Sequence, residues 1–217
     1  MAQAEFVPES ERVTAALRNE ILDGVREPGS RLVERELANE MGVSRIPVRD
    51  ALRALVAEGL VTPRPRSWAV VRTFEASEIA DLIEVREAFE SMTFRLAAQR
   101  RTREGLARLR RVLDAEIEAA ARGDRVRARQ AAADFHEEVT ALAGNEVLKE
   151  IQQTLGSRMR WLLGRHDDLD TMAREHERLY AAIADRDVAR VQSLAAAHLA
   201  VGRAMALDKQ QAGQGTR

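Results

Sequence analysis

Three of the four histidines recur inside apolar stripes on three separate segments: Ala132-His136-Val139-Ala143, Met172-His176-Leu179-Ile183 and Leu194-His198-Val201-Met205. Residues three and four apart share one face of a helix, so all three imidazoles are expected to point into an apolar interior. A single inward histidine is ordinarily a core residue. Three can converge as neutral imidazole ligands for a divalent metal, zinc or nickel, with a remaining position open to water or a carboxylate. Two other outcomes stay open. The histidines could line a metal-free pocket and bond a small molecule directly. They could also form the ligand set of a metal-dependent hydrolase or lyase, although no obvious general base is paired to them.

A second chemistry-bearing pattern lies near the N-terminus. Arg45, Arg49 and Arg53 recur every four residues opposite the core face Val48, Ala51, Leu52, Leu55 and Val56. Arginine chelates guanine O6 and N7 or grips a phosphate, so this stripe suits DNA; alone, such a stripe is more often a solvated helix face. The overall net charge of -1 hides a local excess: residues 44–72 carry Arg45, Arg49, Arg53, Arg64, Arg66 and Arg72 against only Asp50 and Glu58. Arg86 sits on the mostly apolar stripe Ile79-Ile83-Arg86-Glu90-Thr93-Ala97. It could hold a ligand's carboxylate, or simply pair with Glu90 one turn on.

These residues need elements to carry them. The stripe Val13, Leu17 and Ile21 predicts a first helix ending near Gly24, and Pro28-Gly29 a turn. A short helix spans Glu34 to Met41, Gly42-Val43 breaks it, and Ser44 is placed to cap a third helix that Gly59 ends. Pro47 falls in that helix's first turn, where its missing N–H costs nothing. Val61 to Arg64 and Trp68 to Arg72 read as a small two-stranded wing. From Glu75 onward strand signals vanish. Six helices fit, at Ser77 to Gln99, Thr102 to Arg122, Arg125 to Ala143, Glu146 to Arg165, Thr171 to Asp185 and Asp187 to Lys209. The expected organisation is mainly α: a winged helix-turn-helix at 9–74, an all-α six-helix bundle at 75–209, and a disordered polar tail at 210–217.

Composition limits the classes. The 45% hydrophobic content suits two packed units, and the absence of cysteine argues against disulfides or thiolate-bound metal. Met1 to Ser10 has no basic region leading an apolar run, and no stretch approaches the ~18 apolar residues of a membrane span. A cytoplasmic protein without a membrane partner is expected.

Residues Pro28 to Val61, "PGSRLVERELANEMGVSRIPVRDALRALVAEGLV", closely resemble the GntR-type winged helix-turn-helix, including Arg35-Glu36-Leu37-Ala38 and Gly42-Val43-Ser44-Arg45. The resemblance implies that Arg35, Ser44, Arg45 and Arg49 contact operator DNA, with Arg53 on the same face. It also implies that the wing, with Arg64 and Arg66, enters the adjacent minor groove. Trp68 departs from the glycine usual there. The helical half is similar to the FCD domain of the FadR-like branch, on "IADLIEVREAFE", "DFHEEVTALAGN", "EHERLYAAI" and "AAAHLA". That similarity implies a homodimer on double-stranded operator DNA, answering to a small, carboxylate-bearing organic acid near Arg86 and Asn145. It implies a metal at His136, His176 and His198, with a fourth ligand one turn before His136. Ala132 occupies that place here, and Asp134, about 200° around the helix from it, cannot substitute.

Overall fold

Val13, Leu17 and Ile21 are all buried in α1 (Glu9–Leu22), as their four-residue spacing requires. The computed structural model describes residues 7–65, 68–164 and 168–214, and the chain divides into two units, 1–74 and 75–217. In the first unit α1 packs on α3 (Arg45–Ala57), where Val48, Ala51 and Leu55 are excluded from solvent. Between them in sequence come β1 (Arg31–Val33) and α2 (Glu34–Met41); after α3 come β2 (Val61–Arg64) and β3 (Trp68–Val71).

The turn from α2 to α3 depends on Gly42, whose φ of 66° lies in the left-handed region and lets Val43 N–H bond back to Ala38 O at 3.0 Å. A Cβ at Gly42 would meet no neighbour, so the penalty for a side chain is conformational only. Gly42→Ala is expected to destabilise this unit by about 1 kcal/mol. Urea unfolding followed by circular dichroism measures it, and an unchanged midpoint would refute the assignment. Ser44 stands at the N-cap of α3 in extended conformation, but its side chain makes no cap hydrogen bond, contrary to the sequence expectation. Ser44 is exposed.

The wing has a third strand, between the Pro28-Gly29 turn and α2, where the sequence reading assigned no element. β1 pairs antiparallel with β3, Leu32 opposite Ala69, and β3 pairs with β2, Thr62 opposite Val70, in the order β1-β3-β2. β1 is three residues long with one buried side chain, Leu32, too short to show alternation. Its partner supplies the hydrogen bonds that define it.

The second unit consists of α4 (Ala76–Arg100), α5 (Arg103–Ala121), α6 (Arg125–Leu142), α7 (Glu146–Leu163), α8 (Leu169–Ala184) and α9 (Val188–Gln214). Side-chain caps fix most of the starts. Thr102, Asp124, Asn145 and Asp168 each accept a backbone N–H of the helix they open. The Asp168 cap, on Thr171 N at 3.0 Å, starts α8 at Leu169 rather than Thr171. The last helix continues to Gln214, past the residue 210 at which a disordered tail is expected from sequence. α6 is central: Ala128, Ala131, Ala132, Ala133, Phe135, His136 and Val139 are all buried, and its run of alanines lets α4, α5, α7 and α8 approach closely. Phe94, Phe135, Leu109, Leu113 and Leu179 fill the space around it.

Candidate functional site

α6, α8 and α9 bring His136, His176 and His198 together in the bundle interior, with one ligand atom from each lying within 4.8 Å of the others. The ring centroids are 5.0 Å apart for His136 and His176, 5.3 Å for His136 and His198, and 4.9 Å for His176 and His198. All three are buried. Phe135 stacks on His176 at 4.3 Å between centroids, which restrains that ring.

Each imidazole has a carboxylate behind it. His176 Nδ1 lies 2.8 Å from Glu116 Oε2 and His198 Nδ1 lies 2.8 Å from Glu175 Oε2. His136 Nδ1 is 3.2 Å from Glu90 Oε2, near enough for attraction but out of line for a hydrogen bond. The three Nε2 atoms are buried and have no hydrogen-bond partner among the described residues. A buried polar atom left unpaired costs roughly 1–3 kcal/mol, so three on clustered rings call for a shared occupant. Carboxylate on Nδ1 and a free Nε2 is the arrangement in which histidine ligates a metal. The donor set therefore fits zinc or nickel.

Electrostatics agree with a neutral, ligating state. Burial pushes His136 down to about 4 and His176 well below the usual imidazole range. Burial raises the Glu116 carboxyl to about 8, partly opposed by His136 and His198. Burial alone would also raise Glu90, but Arg86 and His136 together hold it well below the usual carboxylate range. Glu175 is lowered by its hydrogen bond to His198.

Arg86 is buried at this site and Nε donates to Glu90 Oε1 at 3.0 Å, so the local pairing read from sequence is realised. Its Nη2 nevertheless remains buried without a partner among the described residues. Ala132 is buried one turn before His136 and offers only a methyl group. Asp134 is half-exposed and bonded to Arg160, not to the histidines. Asn145, expected at the effector, caps α7, its Oδ1 accepting Leu148 N–H at 3.3 Å. Sequence reasoning missed Glu116 and Glu175. Glu116 could have been noticed as a charged residue continuing the buried stripe Leu109-Leu113, whereas Glu175 merely precedes His176 and carried no signal.

On α3, Arg49 Nε and Nη2 donate to Glu34 at 3.1 and 3.0 Å, and Arg45 Nη2 reaches the same carboxylate at 3.3 Å. Glu34 is buried and held ionised below its usual range, mainly by the Arg49 hydrogen bond. With Nε and one Nη2 proton engaged, Arg49 keeps its terminal Nη1/Nη2 fork for a base edge or phosphate. Arg53 is exposed beside Asp50, and Arg35 and Arg64 are exposed. Arg66 lies outside the described residues. Ile46, 70% exposed at the start of α3, was overlooked because it is off the core stripe; an apolar side chain there suits a thymine methyl.

Comparisons with known proteins identify both units. Residues 9–71 match the model described as "Bacterial regulatory proteins, gntR family", and residues 81–201 match the FCD domain. The chain is 31% identical over 177 residues to the Nta operon transcriptional regulator of Aminobacter aminovorans, covering 79% of this chain and 82% of that one. It is 30% identical over 206 residues to the transcriptional regulator LutR of Bacillus subtilis, covering 82% and 92%. The fold superposes on E. coli McbR/YncC with a TM-score of 0.82 at 23% identity, covering 94% of this chain and 99% of that one. No helix among the described residues is long and apolar enough to cross a membrane. These relatives are regulators and not enzymes, which removes the support for a hydrolase or lyase at the histidines. The chain belongs to the GntR family of bacterial transcription regulators, with a winged helix-turn-helix for DNA and an FCD domain for an effector.

Proposed function

We propose that this regulator, of the FadR-like branch, works as a homodimer on a palindromic operator. Its operator affinity answers to a small organic acid bound beside a divalent metal on His136, His176 and His198. The observation that carries the reading is the cluster of three buried imidazoles, one ring nitrogen of each within 4.8 Å of the others, whose Nε2 atoms have no hydrogen-bond partner among the described residues and whose Nδ1 atoms each have a carboxylate beside them. A zinc or nickel ion there would supply a Lewis-acidic point that a carboxylate or water can ligate. Glu175, and Glu116 once a bound ion draws off its proton, accept from Nδ1–H and so favour the tautomer in which Nε2 is the free nitrogen. Arg86, with Nη2 unpartnered, offers a planar cation to the effector's carboxylate. Arg35, Ser44, Arg45 and Arg49 address the operator, and two copies related by a two-fold axis match its two halves. The effector acts by binding two dispositions of the DNA-binding units unequally, since a ligand without such a preference shifts nothing.

The test uses Ala132, where a carboxylate would complete a four-ligand set. Ala132→Asp should tighten zinc binding and, by filling the position open to the effector, weaken the effector's influence on DNA binding. Calorimetric titration of zinc into chelator-stripped wild type and Ala132→Asp decides it. Absence of binding to both leaves the histidines as polar lining of a metal-free pocket.

A further inference from the structure

Three exposed arginines of α3 each meet a carboxylate of their own chain before any partner arrives. Arg49 donates from Nε and Nη2 to Glu34 at 3.1 and 3.0 Å, Arg45 reaches the same carboxylate at 3.3 Å, and Arg53 pairs with Asp50 at 3.3 Å. The two acids differ in kind. Asp50 is half-exposed on the same helix as Arg53, so that pair opens at little cost. Glu34 belongs to another element, the first turn of α2, and its side chain is 8% exposed while those of Arg45 and Arg49 are 54% and 46% exposed. With Arg49, Arg53 and Arg64 it lines the open cleft between α3 and the wing. A buried carboxylate is costly unless it stays paired, so Glu34 keeps its hold on Arg49 whatever Arg49 meets on its outer side. The N-terminus of α2 favours the same negative charge.

We propose that Glu34, a positioning residue buried beneath the stripe, sets the ratio of specific to unspecific DNA binding by holding Arg49 off the phosphates. This role rests on the reading that α3 enters the major groove. Unspecific binding is driven almost wholly by attraction between cations and phosphates, summed over the contacting face. Two carboxylates against three guanidiniums leave the stripe a single net positive charge, so the face is weakly attractive to DNA in general. A guanidinium on a flexible stem otherwise turns to the nearest phosphate. Arg49 is kept from doing so, because Nε, at the root of its guanidinium, is tied to Glu34 and only the outer fork is available. A base edge accepts that fork in one fixed geometry. Glu34 thus withholds a phosphate contact from the unspecific complex and nothing from the specific one, in which the fork is engaged on a base.

The experiment uses the full chain, a duplex recovered by the wild type from a random-sequence pool, and an unrelated duplex of equal length, each titrated through a salt series. Glu34→Gln keeps the volume and an acceptor oxygen and removes the charge. It should tighten the unrelated duplex about eightfold at roughly 0.1 M salt and steepen its slope of log affinity against log salt by about 0.9, the increments for one added phosphate contact. The selected duplex should gain by a smaller factor, so the ratio of the two affinities falls. A loosened fold does not bind more tightly, so the gain separates positioning from stability. In the Arg49→Ala background Glu34→Gln should give no such gain, because the released arginine is what makes the new contact. Wild-type or weakened binding of the unrelated duplex by Glu34→Gln would overturn this role. An equal gain on both duplexes, or a gain that persists without Arg49, would also overturn it, since either is the work of bulk charge. If Arg49→Ala loses discrimination while Glu34→Gln keeps the wild-type ratio, only the role of Glu34 fails. If Arg49→Ala also binds both duplexes as wild type does, the major-groove reading fails with it.

Discussion

Glu116→Gln lowers zinc affinity ten- to a hundredfold while leaving the fold intact. Glu116 sits 2.8 Å from His176 Nδ1, buried with it; with a cation on Nε2 favouring its ionised form, the carboxylate would accept from Nδ1–H and raise the basicity of Nε2. Glutamine keeps the volume and an acceptor oxygen but removes the charge, so the ring stays in place and loses basicity; losses of that size are typical for such outer partners. The metal-free protein should not lose stability, because burial already raises this carboxyl to about 8 and its ionised form is costly. Competition against a chromophoric chelator measures the affinity. Glu175→Gln should cost less, since Glu175 is partly exposed. Equal zinc affinity for Glu116→Gln and wild type would mean that His176 does not ligate through Nε2.

Arg49→Ala weakens operator binding by about 1–3 kcal/mol and flattens base preference at the position it reads. The size follows from the free fork of Arg49. Because Glu34 already holds Nε and Nη2, less side-chain freedom is lost when the fork meets a guanine edge. The substitution also leaves the buried Glu34 with Arg45 alone, at 3.3 Å, so thermal unfolding must be compared to separate recognition from stability. The ratio of selected to unrelated duplex affinity, followed through a salt series, is the deciding measurement. A ratio equal to that of wild type removes Arg49 from base recognition.

Much of the architecture was legible because it is local. The four-residue stripes placed helices from Glu9 to Ala57 and from Ala76 onward, and Gly42, Gly123 and Gly144 marked turns where positive φ is required. The same periodicity turned His136, His176 and His198 inward before any contact was known. Legibility failed where a partner decides. β1 exists through its register with β3, and Ser44 looked like a cap but makes no cap bond. Asn145, singled out by resemblance alone, caps α7, a role its place before Glu146 already allowed.

What the sequence by itself determined is the face on which each functional side chain lies, since that depends only on 3.6 residues per turn and on neighbours within one helix. It could not assign the chemistry of each face. Glu116 is sixty positions from His176 and Glu175 twenty-three from His198, so only the packing of α5 on α8 and of α8 on α9 decides that Nδ1 is engaged and Nε2 is free. Likewise the arginine stripe is periodic in the sequence, but the burial of Glu34 beneath it chooses which edge of Arg49 faces outward. Hydrogen bonds and burial are properties of pairs of elements. A single helix, however well defined, contains only one member of each pair.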